Sequence, residues 1–318
     1  MPETAQLLQP QGRWPEDISL WRLDMLLAFE ARIAACYAAL DTVERERADR
    51  YRVVGERVRY VITRATLRHL LSAQVGVPAA SLQFTTVRNG RPTLVGYPAL
   101  SFNVSHAGDH ALIAMSHHRV VGVDIEHIDP HTDWHALVDM VCSSNQRKQL
   151  HVEAKTPGTA REGHDDRGGY GDSSRSGNGN GNVDVDVDVD ADRDRDRDRD
   201  RHISEARNRD GGTPTFIAQQ RRRFFQCWTA KEAILKALGV GLTDHLGLID
   251  FSLDNDGVQR PCLHPAIAAQ SMGGRGDGLA ANEVANLSFH WLTDIDGYMG
   301  CIAYSDARPY VAARTAVR

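Results

Sequence analysis

The sequence predicts an α+β protein of two similar halves, because strand-like and helical patterns recur in a similar order before and after residue 118. Each half opens on a strand, continues with helical segments and closes on further strands. We therefore expect an N-terminal half at 1–118 and a C-terminal half at 119–318. A site at the interface between the halves is the simplest arrangement for function.

The first half begins with ISLWRLDM at 18–25, which is strand-like, and residues 41–75 follow as helices. The segment RVRYVITRATLRHLLSAQVG has apolar residues at helical spacing, and Gly76 and Pro78 then stop the helix. The remaining strands and turns of this half are SLQFTTV, RNGRPTL, ALSFNVSH and HALIAMSHH.

The second half repeats this order. Its predicted elements are the strand VVGVDIE, the helix HALVDMVCSSNQRKQL, the helix FFQCWTAKEAILKAL, and strands near LIDFSL, NLSFHWL and GYMGCIAYS.

A low-complexity insert at 152–213 interrupts the second half, and it contains almost no large apolar residues. Such a composition cannot bury enough apolar surface to offset the entropy of ordering, so we expect disorder there. The VDVDVDVD run could be imagined as a calcium site, but it lacks the loop glycine and terminal glutamate of an EF-hand. A solvated insert is the favoured interpretation.

The composition restricts the classes of function. The net charge of −5 gives no overall basic field that would favour nucleic acid. The polar N-terminal segment and the absence of a long apolar run predict a soluble, cytoplasmic protein without a membrane span. Five scattered cysteines without a CxxC pair argue against a disulfide framework or a structural zinc site.

Two carboxylates stand out at the end of an apolar strand. Side chains alternate along a strand, so Asp124 and Glu126 are expected on one face, with Ile125 on the other. Neighbouring carboxylates repel one another unless a cation lies between them, and hard divalent ions such as Mg²⁺ prefer oxygen ligands. The pair alone leaves open the alternative of a solvated strand end.

The helix at 224–242 supplies a possible partner for these carboxylates. Its broad apolar arc includes Lys231 and Glu232, whereas solvated side chains are expected opposite the arc, with Gln226, Thr229 and Ala233. Lys236 follows Glu232 by one turn, and a surface ion pair would explain those two residues alone. Because burying unpaired charge is unfavourable, Lys231 among aromatic residues favours a functional site.

These motifs resemble the 4′-phosphopantetheinyl transferases, in particular the larger, Sfp-type group with two fused pseudo-repeats. The similar segments are GVDIE, WTAKEAILKALGVGL, SFNVSHAGDHALIAMS, NGRP at 89–92 and the basic helices of ERERADRYRVVGERVRYVITRATLR. They cover most of residues 18–130 and 215–245 and occur in the family's order. The chain departs from the family pattern in its long insert and in Arg91, where lysine is common.

The resemblance implies a pseudo-dimeric fold and a transfer of the 4′-phosphopantetheine arm of coenzyme A to a serine of an apo-carrier protein, with release of 3′,5′-ADP. It implies Mg²⁺ as cofactor, held by Asp124, Glu126 and Glu232, with Glu232 also the candidate base. The other residues implied for the site are Lys231 and Lys236 as catalytic cations on the phosphates, and Arg47, Arg59, Arg91, Ser105, His106 and Lys236 as coenzyme contacts.

Two other functions remain open at this point. A metal-dependent phosphohydrolase would use the same carboxylates with water as the nucleophile, and would release phosphopantetheine without a carrier. A non-catalytic module that binds coenzyme A or a carrier protein is less consistent with an intact set of acidic and basic residues. A fused pseudo-dimer needs no second chain to complete its site, so a monomer is expected.

Overall fold

A computed structural model describes residues 5–25, 33–86, 91–151, 213–240, 246–263 and 281–307. The insert expected at 152–213 lies outside the described residues, apart from Thr213. None of the helices in these ranges combines the length and apolar character needed to cross a bilayer.

The fold is mixed, with helices and antiparallel strands, as the sequence predicts. The helices are α1 (Ile33–Tyr37), α2 (Thr42–Arg50), α3 (Val54–Val75), α4 (Val138–Val141), α5 (Ser144–Gln149), α6 (Pro214–Leu238) and α7 (Ala281–Ala285). The strands are β1 (Ala5–Leu8), β2 (Ser19–Asp24), β3 (Phe84–Thr86), β4 (Pro92–Leu94), β5 (Ser101–Ala107), β6 (His110–Ser116), β7 (Val121–His127), β8 (Ile249–Asp250), β9 (Cys262–Leu263), β10 (Leu287–Leu292) and β11 (Tyr298–Ser305).

Two antiparallel sheets form the centre of the described fold. The first has the strand order β1-β2-β6-β5, and the second has the order β10-β11-β7. The strands β3 and β4, and likewise β8 and β9, form separate two-stranded pairs. In the first sheet, β6, the last strand of its half, lies between β2 and β5. In the second sheet, β11, the last strand of its half, lies between β7 and β10.

Helices and sheets stack in four layers. Helix α3 packs on one face of the first sheet, where Leu67 shares a core with Phe102 and Ile113. The opposite face of that sheet meets the second sheet, with Leu112 and Ile302 in their common core. Helix α6 covers the outer face of the second sheet. The second sheet is therefore buried on both faces, which explains the long apolar run that precedes Asp124.

The edges of the two sheets meet along a seam between β5 and β7. Here the acceptors for backbone N–H groups of β7 are three polar side chains of β5, and not backbone carbonyl groups. The contacts are Val121 N to Ser101 Oγ at 3.0 Å, Val123 N to Asn103 Oδ1 at 2.8 Å, and Ile125 N to Ser105 Oγ at 3.4 Å. All three side chains are buried, so the seam satisfies backbone donors that would otherwise be desolvated without partners.

Helix α6 is longer and more deeply buried than the sequence suggests. It begins at Pro214, after the N-cap Thr213, and ends at Leu238, followed by the C-cap Gly239 in the left-handed conformation. The expectation of a solvated face opposite the apolar arc is wrong, since Gln226 is 7% exposed and both Thr229 and Ala233 are fully buried. The reason is that the second sheet packs on one side of the helix, while the region of α4 and Leu246 packs on the other.

The prediction of one continuous helix over HALVDMVCSSNQRKQL is also wrong. The chain forms a short 3-10 turn at Trp134–Ala136, then α4, and then α5. Ser143 divides α4 from α5, because its side chain accepts a hydrogen bond from Gln146 N as an N-cap and the Gln146 side chain completes a capping box. The capping side chain thus starts a new helix where periodicity alone predicts continuation.

Candidate active site

Asp124 lies at the centre of the candidate site, on the face of β7 that packs against α6. Its partner in the register is Cys301 of β11, which belongs to the core that α6 covers. Only 2% of Asp124 is exposed. Its Oδ1 accepts hydrogen bonds from Lys236 Nζ at 2.8 Å and from Ser105 Oγ at 2.9 Å. One carboxylate therefore connects helix α6, strand β7 and, across the seam, strand β5.

Lys236 supplies positive charge at this point. Its Nζ also donates to Ser105 Oγ at 3.1 Å, and the side chain remains 21% exposed. A buried carboxylate is stable in its ionised form only when hydrogen bonds and a counter-charge replace water. Lys236 provides both for Asp124, while part of its side chain remains exposed to solvent.

The other two predicted acidic residues lie on the same pair of elements. Glu126 follows Asp124 on the α6-facing side of β7 and is half-buried. Glu232 precedes Lys236 by one turn of α6, on the same side of the helix, and is 2% exposed. The structure therefore brings the predicted metal ligands to one layer boundary, between β7 and α6.

The chemistry of this donor set suits a hard divalent cation. All three predicted ligands are carboxylates, and carboxylate oxygens are the ligands that Mg²⁺ prefers. Within the described ranges, however, no three His, Cys, Asp or Glu side chains are already grouped to hold an ion. The bonds from Lys236 and Ser105 hold Oδ1 of Asp124 in this arrangement, so metal binding would require side chains to reorient.

Lys231 points in another direction. It lies five positions before Lys236 on the helix, which places the two about 140° apart around the axis. Its fully buried ammonium donates to the carbonyl oxygens of Val141 at 2.6 Å and Leu246 at 2.8 Å. Lys231 thus connects α6 to the end of α4 and to the short 3-10 helix Leu246–Leu248. The predicted contact of Lys231 with phosphate is not among these bonds.

A pair of buried thiols lies beside Lys231. The Sγ atoms of Cys142 and Cys227 are 3.5 Å apart, and Cys227 also donates to Gln146 Oε1 at 3.2 Å. Burial alone would raise the pKa of the Cys227 thiol, but its contact with Cys142 and the charge of Lys231 lower the pKa overall. The contact with Cys227, and then burial, raise the pKa of Cys142. The charge of Lys231 therefore affects the pKa of two buried thiols in the core of the second half.

Arg91 lies at the junction of the halves. Its guanidinium donates to the carbonyl oxygen of Ala237 at 3.2 Å, to that of Val121 at 3.3 Å and to Ser101 Oγ at 2.5 Å. A cation is favourable at the C-terminal end of α6, where helix carbonyls lack intrahelical partners. Arg91, predicted as a nucleotide contact, thus also connects the seam to the end of the helix that carries Lys236.

Ser105 and His106 occupy opposite faces of β5. Ser105, only 4% exposed, belongs to the seam and to the Asp124 cluster. His106 is half-buried on the face that β5 turns towards α3, together with Phe102 and Val104. The two neighbouring residues therefore lie in different environments, because side chains alternate between the two faces of a strand.

Arg47 and Arg59 lie in the first half. The guanidinium of Arg47 is 5.6 Å from the ring centroid of Tyr60. Arg59, on α3, is 4.0 Å from Asp109, which lies in the turn between β5 and β6. Arg59 therefore approaches the end of β5 that carries His106. The hydrogen bonds described above for Asp124 go to Lys236 and Ser105, and not to Arg47 or Arg59.

Sequence reasoning missed Ser101, Asn103 and Tyr298. The alternation of polar and apolar residues in SFNVS could have identified a polar edge on an apolar strand. Tyr298 accepts a hydrogen bond from Asp109 N at 3.2 Å and contacts the ring of His110. Its docking against a turn of the other half depends on the tertiary structure.

Two family models match this chain. Residues 28–118 match the model described as "4′-phosphopantetheinyl transferase, N-terminal", and residues 186–279 match "4′-phosphopantetheinyl transferase superfamily". The second match includes Lys231, Glu232 and Lys236. Asp124 and Glu126 lie outside both matched ranges.

Individual relatives agree with these models. The 4′-phosphopantetheinyl transferase HetI of Nostoc sp. is 30% identical over 125 residues, which are 38% of this chain and 52% of that protein. A phosphopantetheinyl transferase of Thraustochytrium sp. is 25% identical over 248 residues, which are 76% of this chain and 68% of that protein. An L-aminoadipate-semialdehyde dehydrogenase-phosphopantetheinyl transferase of Xenopus laevis is 28% identical over 105 residues, 31% of this chain and 35% of that protein.

The chain spans about half or less of the length of the curated relatives that match at about 30% identity. The two family models nevertheless cover successive parts of the chain and describe the same superfamily. Both the matched regions and the arrangement of acidic and basic residues at the boundary of β7 and α6 lead to one conclusion: the chain belongs to the 4′-phosphopantetheinyl transferase superfamily.

Proposed function

We propose that this protein transfers the 4′-phosphopantetheine arm of coenzyme A to a serine hydroxyl of an apo-carrier protein, in a Mg²⁺-dependent reaction that releases 3′,5′-ADP. The observation that carries the proposal is the contact of Lys236 with the buried Asp124, at 2.8 Å, in a chain of this superfamily. It joins cationic and anionic groups at a boundary that also carries Glu126 and Glu232.

The reaction suits these side chains. The serine oxygen attacks the phosphorus atom of the pantetheine phosphate, and the bond from that phosphorus to the bridging oxygen breaks, so that 3′,5′-ADP leaves with the bridging oxygen. Such a transfer requires mainly positioning and stabilisation of charge. Lys236 provides a cation for the phosphates, while Glu232 accepts the proton of the serine hydroxyl as general base.

The carboxylates of Asp124, Glu126 and Glu232 would hold Mg²⁺, which would neutralise charge on the pyrophosphate. Arg47, Arg59, Arg91 and His106 are proposed to contact the nucleotide portion of coenzyme A. Lys231 would act indirectly, because its bonds to Val141 and Leu246 hold α6 in place.

We also propose that the two halves form a pseudo-dimer within one chain. The matching strand orders β2-β6-β5 and β7-β11-β10, each with a long helix on an outer face, support this relationship. A chain that contains both halves would act as a monomer. We also propose a cytoplasmic location, where coenzyme A and carrier proteins are the substrates.

The decisive experiment incubates the purified protein with coenzyme A, Mg²⁺ and apo-carrier proteins of fatty-acid, polyketide and non-ribosomal peptide types, and measures carrier mass. We expect a phosphopantetheine adduct on at least one carrier, and less of it in Asp124→Ala at the same, limiting Mg²⁺ concentration. Hydrolysis of coenzyme A without any adduct would instead establish a phosphohydrolase. Binding of coenzyme A without turnover would establish a non-catalytic module.

A further inference from the structure

Two thiols are in contact in the core of the second half. The Sγ atoms of Cys142 and Cys227 lie 3.5 Å apart, and neither residue exposes more than 2% of its surface. A disulfide bond has an S–S length of about 2.05 Å. The two sulfur atoms would therefore need to approach one another by only about 1.5 Å to form a bond.

The surrounding hydrogen bonds hold the two thiols together. Lys231, one turn after Cys227 on α6, donates to the carbonyl oxygen of Val141 at 2.6 Å. Val141 ends α4, and Cys142 is the C-cap that follows it. Cys227 in turn donates to Gln146 Oε1 at 3.2 Å, in the capping box of α5. The position of each thiol is thus fixed by bonds between α6 and the junction of α4 and α5.

We propose that Cys142 and Cys227 form a reversible redox site, at which hydrogen peroxide converts the two thiols into a disulfide bond. The bond would join helix α6 to the junction of α4 and α5. It would also connect positions that are 85 residues apart in the chain, on either side of the insert at 152–213. The proposal does not depend on the transferase activity.

The oxidation needs no reactant besides the peroxide. The thiolate sulfur of Cys227 attacks one oxygen of the peroxide, the O–O bond breaks, and hydroxide leaves and takes up the proton that Cys227 released. The sulfur of Cys142 then attacks the sulfenic acid of Cys227, the S–O bond breaks, and the hydroxyl group leaves as water with the proton of Cys142. The two thiols lose two hydrogen atoms and two electrons, and hydrogen peroxide is reduced to two molecules of water.

The surroundings favour attack by Cys227. Burial raises the pKa of its thiol, but the contact with Cys142 and the charge of Lys231 lower the pKa overall. The thiolate is the nucleophilic form of cysteine. The helices α4 and α5 have only four and six residues, so they open locally at a lower cost than the whole fold. Such opening would admit a molecule as small as hydrogen peroxide.

Peptide mapping of the full chain tests the proposal. The folded protein is treated with hydrogen peroxide, the remaining thiols are alkylated, and a tryptic digest without reductant is analysed by mass spectrometry. Trypsin cleaves after lysine and arginine, so the bond would link the peptides 120–147 and 224–231. We expect this linked peptide after peroxide treatment, and its disappearance when dithiothreitol is added.

Cys301 and Cys262 are internal controls. Cys301 is fully buried like Cys227, but its Sγ donates to the carbonyl oxygen of Ile302 at 3.7 Å, so it should form no disulfide. Cys262 is exposed and should react with peroxide without forming a disulfide within the chain. A chain that is unfolded in urea before oxidation should instead yield several different cysteine pairs.

Three results of the peptide map would overturn the proposal. The first is that Cys142 and Cys227 both stay reduced in the folded chain. The second is that Cys227 is oxidised to the sulfinic acid without a link to Cys142. The third is that the linked peptide is no more abundant after oxidation of the folded chain than after oxidation in urea.

The bond should also raise thermal stability. A disulfide restrains the unfolded chain, and more so when it closes a long loop, so the oxidised protein should melt about 5–15 °C above the reduced protein. Cys142→Ser and Cys227→Ser should each abolish this difference, whereas Cys262→Ser should keep it. If the first two variants do not fold, the peptide map of the wild type still decides the question. A lower melting temperature of the linked protein would show that the bond distorts the native fold, and would overturn the proposed site.

Discussion

A Cβ atom on Gly122 of β7 would lie 2.1 Å from the carbonyl oxygen of Ala233 on α6. The two backbones approach so closely that only glycine fits at this position. The next contact along the same strand and helix joins Asp124 to Lys236, so the close approach at Gly122 sets the distance across which these charged groups meet.

Gly122→Ala is therefore expected to lower the free energy of unfolding by about 1–3 kcal/mol or more, as overpacking does in tightly packed cores. The carbonyl of Ala233 and the backbone of Ala237 cannot yield without moving the helix. Urea denaturation followed by circular dichroism measures the loss. Gly247→Ala is the control, because an added Cβ there meets Met140 O at an ordinary 3.5 Å. Equal stability of the two variants would contradict the packing argument.

Lys231→Met tests whether Lys231 supports the fold or contacts phosphate. The substitution leaves the carbonyl oxygens of Val141 and Leu246 without their donor, so the free energy of unfolding should fall by about 1–3 kcal/mol. Coenzyme A affinity of the folded variant should change by less than about threefold. Lys148→Met, at an exposed position on α5, should alter stability by less than about 0.5 kcal/mol. A tenfold loss of coenzyme A affinity at unchanged stability would instead support the predicted contact of Lys231 with phosphate.

Glu232→Gln separates the roles of base and metal ligand at Glu232. The amide keeps the shape and one oxygen but cannot take a proton, so single-turnover transfer should fall about 10²- to 10⁴-fold and stay low at saturating Mg²⁺. In Asp124→Ala, the Mg²⁺ concentration for half-maximal transfer should rise and excess Mg²⁺ should recover part of the rate. If excess Mg²⁺ fully restored the transfer rate of Glu232→Gln, Glu232 would be a metal ligand and not the general base.

The environment of His290 predicts a loss of stability in acid. Burial, and then the charge of Arg13, lower the pKa of His290 below its usual value of 6.5. The unfolded chain therefore binds a proton more readily, so stability should fall as the pH drops below about 6.5, by at most about 1.4 kcal/mol per pH unit from this group. His290→Gln should remove this part of the pH dependence of the melting temperature, while His135→Gln, at an exposed position, should keep it. An unchanged pH profile in His290→Gln would rule out this contribution.

The sequence by itself determined the α+β class, and its strand alternation placed Asp124 and Glu126 on one face of β7. Helical periodicity likewise set Glu232 and Lys236 on one side of α6. These relationships are local, because 2-residue and 3.6-residue periods follow from backbone geometry alone. The order of the motifs also led to the correct superfamily.

The tertiary structure decided where each of these faces points. Lys231 and Lys236 are equally basic in sequence, yet one bonds to backbone carbonyls in the core and the other to Asp124. Gln226 and Thr229 are buried because layers cover both sides of α6, which a single helical period cannot reveal. Ser105 meets Asp124 only because β5 and β7 join at the seam. Such contacts depend on the packing of distant segments, and only the folded chain brings them together.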